Sequence, residues 1–214
     1  MQEKAVLVVS FGTSHLDTLE RTIVPIEKEI AGALPDRVQR RAFTSGMVLQ
    51  KLERRDGLQI DSVPGAPERV GGEGVRDVAI QPTHIMNGEE YDKLLSRARP
   101  FQGRFRQMTV GRPLLSTQGD YRDTAEALLE VLPERRREQA LLFMGHGTGH
   151  FANSAYCQLE YLLHDLGRTD VLVGTVEGYP GFEEVLRRLA ERPEVGHLEL
   201  RPLMVVAGDH AKQD

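Results

Sequence analysis

One pattern constrains this chain more than any other: a short apolar run that ends in a Gly-Thr turn and feeds an amphipathic helix occurs twice. Residues 5–10 lead into Phe11-Gly12-Thr13-Ser14-His15, and residues 139–145 lead into His146-Gly147-Thr148-Gly149-His150, with Gly, Thr and His in register. A second match in the same order sets 78–84 (VAIQPTH) over 204–210 (MVVAGDH), so that each half ends a core strand in a loop carrying a histidine. Short uninterrupted apolar runs suit strands buried on both faces, which is the situation of a parallel sheet covered by helices.

The alternation is regular enough to be read as strand and helix in turn. The first half gives strands at 5–10, 37–43 and 75–81, with helices at 46–55 and 89–98; the helix after the first strand shows in Leu19, Ile23, Ile26, Ile30 and Leu34 at helical spacing. A less regular stretch, 104–117, and a helix at 120–132 precede the second half. That half has strands at 139–145, 170–176 and 197–206 and helices at 150–166 and 182–191. Strands alternating with helices predict an α/β fold of two similar lobes, each a small parallel sheet flanked by helices, with the active site in the cleft between them. The polar stretch 133–138 sets the expected boundary, giving lobes 1–132 and 133–214. Residues 64–74 break the alternation: two prolines and four glycines stand where a helix is due, so a loop is expected there.

Composition narrows the function. The 27 Lys and Arg against 32 Asp and Glu leave a net charge of −5, and no basic run exceeds Arg135-Arg136-Arg137. Phosphate neutralisation needs clustered cations, so nucleic acid is not an expected partner. The single cysteine, Cys157, closes no intramolecular disulfide and builds no thiolate zinc site alone; it is expected as a small core side chain in its helix. No stretch approaches the roughly 20 apolar residues of a membrane span. The N-terminus lacks a basic region before its apolar run, so a cytoplasmic protein is expected. Homo-oligomerisation is compatible with the sequence but not specified by it.

Two of the seven histidines and one carboxylate converge by position. His146 follows a core strand and is surrounded by Gly145, Gly147 and Gly149; His210 follows the last strand; Glu177 ends the strand between them. Successive strands of one lobe thus deliver two imidazoles and a carboxylate to the same sheet edge, a donor set suited to a borderline divalent ion with open positions left for a substrate. His150 is expected at a helix start and off the metal, because the intervening glycines oppose a helical His-x-x-x-His pair. In the first half, His84 and the 87–91 stretch bring polar groups to a strand end, with Asn87 expected as a helix cap. Arg40 and Arg41 alternate across a strand, so at most one of them faces the cleft.

These motifs resemble a known family. VVSFGTSHLDT (8–18), RRAFTSGMV (40–48), QPTHIMNGEEY (81–91), MGHGTGHFAN (144–153), VGTVEGYPGFEEV (173–185) and MVVAGDHA (204–211) are similar, in order and across nearly the whole chain, to the anaerobic-type cobalt chelatases of cobalamin biosynthesis, which are class II chelatases. The resemblance implies insertion of Co²⁺ into sirohydrochlorin without a nucleotide. It implies that His146, Glu177 and His210 hold the incoming metal. It further implies a catalytic part for His146 and Glu89, and substrate contacts from Ser10, Thr13 and His84. No cofactor is expected beyond the substrate metal, with Fe²⁺, Ni²⁺ or Zn²⁺ as stand-ins in vitro. An iron chelatase and a non-catalytic metal or haem carrier remain as alternatives. The family continues beyond the position of Asp214 and carries a helix where 64–74 is Pro/Gly-rich.

Overall fold

A computed structural model describes residues 3–206. The chain packs as two compact units that part between Pro113 and Leu114.

The first unit opens with β1 (Lys4–Ser10), followed by a helical stretch made of α1 (Leu16–Thr18), a π-helical segment Leu19–Ile23, and α2 (Val24–Ala33). Next come β2 (Val38–Phe43), α3 (Gly46–Asp56), the two-residue β3 (Asp61–Ser62), α4 (Gly65–Gly72), β4 (Asp77–Pro82), α5 (Glu89–Ala98) and β5 (Gln107–Val110). Its sheet has the order β3-β2-β1-β4-β5 and is parallel at every pairing. β1 lies at the centre, and Ala5 through Val9 are all essentially inaccessible. Burial on both faces is why the run KAVLVVS shows no alternation. Leu7, Ile80, Leu94 and Val70 anchor one side of this core, each large side chain contributing roughly 1.5–3 kcal/mol of transfer free energy.

The second unit holds α6 (Gln118–Val131), β6 (Gln139–Gly145), a 3₁₀ turn Phe151–Asn153, α7 (Ser154–Asp165), β7 (Val171–Thr175), α8 (Phe182–Ala190) and β8 (His197–Pro202). Its parallel sheet has the order β7-β6-β8. Leu142, Leu172 and Val185 form the centre of its core. Helix α6 packs on α7, so it belongs to this unit, whereas the boundary expected at 132/133 assigns it to the first.

Four expectations are corrected. Residues 65–72 are a helix, not a loop: Pro67 stands in the first turn, where its missing N–H has no intrahelical acceptor in any case, and buried Ala66, Pro67 and Val70 supply a tertiary contact that outweighs weak propensity. The irregular 104–117 stretch contains β5, an edge strand too short and half-polar to show as a run. Cys157 is exposed, because the buried face of α7 runs through Ala155, Tyr156, Leu159, Glu160 and Leu163. The buried Glu160 is held by Arg188 of α8 and accepts the N–H of Val173 at 2.7 Å. Finally, the second repeat match is out of register. Val9 pairs with Pro82 and Met144 with Pro202, so 78–84 corresponds to 198–204, and His84 is not the counterpart of His210.

Candidate functional site

The first repeat match does reproduce in three dimensions, and it shapes both candidate regions. Gly12 and Gly147 each take a left-handed backbone, φ 98° and 80°, immediately after the central strand of their sheets. A Cβ on Gly147 would lie 2.6 Å from the backbone nitrogen of Gly178, so only glycine fits. Thr13 Oγ1 accepts the N–H of His15 at 3.1 Å, and Thr148 Oγ1 accepts that of His150, also at 3.1 Å. Each turn is then tied to the neighbouring strand end: Ser45 N donates to Phe11 O at 3.2 Å, and Glu177 N to His146 O at 2.8 Å.

In the second unit this frame sets His146 beside Glu177, with Nδ1 and Oε2 3.8 Å apart and both side chains at least half exposed. His146 Nδ1 lies 3.1 Å from Gly147 O. A carbonyl only accepts, so that contact needs the proton on Nδ1, and in the neutral ring the basic lone pair then belongs to Nε2. Two residues not anticipated from sequence hold the turn in place. Asn153 accepts from Thr148 N at 3.0 Å and donates to Tyr179 O at 2.6 Å, joining the 146–149 turn to the loop after Glu177. Burial pushes the Tyr156 hydroxyl's pKa up, opposed by hydrogen bonds from the backbone N–H groups of Gly147 and His146. Their signal in the sequence is only that Asn153 and Tyr156 follow the glycine turn within two helical turns. His150 sits where expected, at the start of the 3₁₀ turn, its Nδ1 accepting from Ala152 N. His210 lies outside the described residues, and among those described no group of three or more His, Cys, Asp or Glu is gathered to hold a metal.

In the first unit the strand ends carry hydroxyls instead. Ser10 and Thr13, expected as substrate contacts, are buried; Thr83 Oγ1 donates to Ser10 Oγ at 2.9 Å, so both hydroxyls brace the turn. His84 has both ring nitrogens buried without a hydrogen-bond partner among the described residues. Burial depresses its pKa, partly offset by the negative charge of Glu90. Glu89 is exposed on the first turn of α5, where its charge complements the helix dipole. The cap of that helix is Gly88, not Asn87 as expected.

Its neighbour Glu90 is the carboxylate that enters the polar cluster. Oε2 accepts from Thr44 Oγ1 at 2.7 Å and Oε1 from Lys93 Nζ at 2.7 Å. Burial alone raises its pKa; the Lys93 and Thr44 hydrogen bonds outweigh that and hold it below the usual carboxylate range. Sequence reading missed Glu90 because two adjacent glutamates at a helix start differ only in which way the first turn points them. Arg40 and Arg41 are both engaged elsewhere: Arg41 grips Glu27 at 2.6 and 2.5 Å, and Arg40 pairs with Glu73 at 2.9 Å.

Among the described residues no helix is long and apolar enough to cross a membrane. Over 212 residues the chain is 43% identical to the sirohydrochlorin cobaltochelatase of Salmonella typhimurium, a match spanning 99% of this chain and 80% of that protein. Over 219 residues it is 34% identical to the sirohydrochlorin cobaltochelatase CbiKC of Nitratidesulfovibrio vulgaris, spanning 100% of this chain and 76% of that protein. The model of the cobalt chelatase (CbiK) family matches residues 4–214, and the chain belongs to that family of metal-inserting enzymes.

Proposed function

We propose that this chain is a cytoplasmic sirohydrochlorin cobaltochelatase, taking Co²⁺ and the metal-free tetrapyrrole as substrates and releasing the metallated ring and two protons. The observation that carries this reading is the His146–Glu177 pair, brought to 3.8 Å by two adjacent strand ends in a chain of the cobalt chelatase family. The carboxylate and imidazole make a site that is half exposed and weak enough to surrender its ion. His146 Nε2 is the principal ligand, Glu177 the second and His210 the third. As metal–ligand bonds pass to the pyrrole nitrogens, two N–H protons must leave the ring. A neutral imidazole released from the metal is a competent acceptor for one, because its basic lone pair is then free. Glu90 is the better placed of the two α5 glutamates to take or relay a proton, since burial and the Thr44 hydrogen bond fix it, while Glu89 faces solvent. His84 and the 10–13 turn contact the tetrapyrrole; Ser10 and Thr13 act through the shape of that turn.

The test is visible absorption of purified protein mixed anaerobically with Co²⁺ and sirohydrochlorin, against a protein-free blank and His146→Ala. Multiple turnovers that vanish in the variant support the reading. Stoichiometric binding of metal or ring with no acceleration over the blank replaces it with a carrier. Repeating the assay with Fe²⁺, Ni²⁺ and Zn²⁺ ranks the metals, which an imidazole–carboxylate set does not do by itself.

A further inference from the structure

The tetrapyrrole named in the proposed reaction bears carboxylates around a flat apolar ring, and such a ligand needs cations at its rim. The cations first expected there, Arg40 and Arg41, are spent on Glu73 and Glu27. A different set is open. One face of α3 forms a shallow, solvent-open groove bearing Met47, Gln50, Lys51, Arg54 and Arg55. Lys51 and Arg54 are exposed, and neither has a carboxylate within ion-pair distance among the described residues. Arg55 is paired with Asp56 at 2.7 Å, so the groove carries the uncompensated charge of the other two. Met47, 81% exposed in the first turn of the helix, adds an apolar surface at one end.

The groove is also joined to the candidate site. α3 starts at its cap Ser45, directly beyond the end of β2 and the Thr44 that holds Glu90. At its other end the Arg55 guanidinium donates to the carbonyl of Ser14, the residue that follows the Gly12-Thr13 turn. A ligand edge lying along this face would therefore meet a methionine, two open cations and the 10–14 loop. Apolar contact flanked by unpaired positive charge, in a chain whose net charge is −5, matches an amphipathic polycarboxylate and not a neutral or cationic ligand.

We propose that this face of α3 holds the rim carboxylates of the tetrapyrrole, with Lys51 and Arg54 as the cations that select a carboxylate-rich ring. The inference rests on the chelatase reading and adds to it the residues that recognise the substrate.

The test titrates metal-free sirohydrochlorin into the wild-type chain, a Lys51→Gln/Arg54→Gln double variant and an Arg40→Gln control, at rising NaCl. Ring absorption is followed, with Co²⁺ binding measured separately. The double variant is expected to bind the ring about fivefold or more weakly, in line with two exposed charge contacts, and to lose most of the salt dependence. In turnover, KM for the ring rises while kcat stays within about twofold. Co²⁺ affinity and the Arg40→Gln control are unchanged. Arg54 lies in the last turn of α3, where a cation also complements the helix dipole, so Tm is recorded to separate a structural loss from a binding one. A double variant that matches wild type in ring affinity and salt dependence overturns this inference and leaves the chelatase reading intact. A wild-type chain that binds no ring overturns both.

Discussion

The turns after β1 and β6 are the same piece of backbone used for two purposes. Both have a left-handed glycine, a threonine hydroxyl that accepts the N–H two residues on, and a link from the neighbouring strand end. Position by position, Ser10 answers to Gly145, Phe11 to His146, Thr44 to Val176 and Ser45 to Glu177. In the first unit this frame presents hydroxyls and an aromatic ring, braced onto Glu90 and Ser10. In the second it presents an imidazole and a carboxylate. The lesson is that the frame supplies aim, and the two residues at its tips decide which chemistry it presents.

The largest effect expected from that division is on His146. His146→Ala should lower the insertion rate by about a thousandfold while shifting unfolding stability by no more than about 0.5 kcal/mol, because the side chain is half exposed. Phe11→Ala, at the equivalent position, should leave Co²⁺ affinity unchanged; calorimetric titration of both variants decides the matter. Equal loss of metal affinity would break the distinction between the turns.

Next come the glycines that the turns share. Gly147→Ala forces both a strained φ and a clash with the backbone of Gly178, and should cost about 2–3 kcal/mol in urea unfolding. Gly12→Ala meets Cδ2 and Cγ of the fully buried Phe43 at 2.5 and 2.6 Å and should cost a similar amount, because a ring locked in the core has no room to withdraw. A markedly smaller loss at either position would show that turn to be the more yielding one.

A smaller effect separates the two α5 glutamates. Glu90→Gln should slow insertion about tenfold at saturating substrates, against less than about twofold for Glu89→Gln. Thr44→Val, which removes a hydrogen bond that lowers the Glu90 pKa, should move the acidic limb of the rate profile to higher pH.

The smallest is a slope. Burial lowers the folded-state pKa of His84 below the unfolded value of about 6.5, so the unfolded chain binds the proton more tightly. The fold is therefore undisturbed by this group above that pH and loses stability as pH falls below it, down to the folded pKa. His84→Gln should flatten that part of the stability curve in denaturant titrations at pH 5 to 7. An unchanged slope would mean that His84 is not the buried neutral imidazole described above.

Much of this was legible in the sequence, for identifiable reasons. β1, β6 and α5 show plainly because buried parallel strands read as unbroken apolar runs and an amphipathic helix keeps its period. The Gly-Thr-x-His turns show because a positive φ demands glycine, and that demand survives in the letters. What stayed hidden depends on neighbours distant in the chain. α4 forms despite its prolines and glycines because Val70 and Ala66 reach the core. Cys157 faces outward because Arg188 lets the helix bury Glu160 beside it. The match of 78–84 to 204–210 fails because a shared histidine says less than strand pairing, which only the sheet register reveals. The letters alone do not tell Glu90 from Glu89, because Thr44, the partner of Glu90, lies on another strand end.

That same Glu160 has a consequence for the life of the chain at high concentration. β7 is an edge strand, and its outward N–H groups are already taken: Val171 N by Arg168 O at 3.1 Å, Val173 N by Glu160 at 2.7 Å, and Thr175 N by Pro180 O at 2.8 Å. An edge whose donors are occupied gives a stray strand only half of a ladder to pair with, which guards this side of the sheet against templated aggregation. Glu160 thereby keeps the strand that delivers Glu177 from becoming a seed.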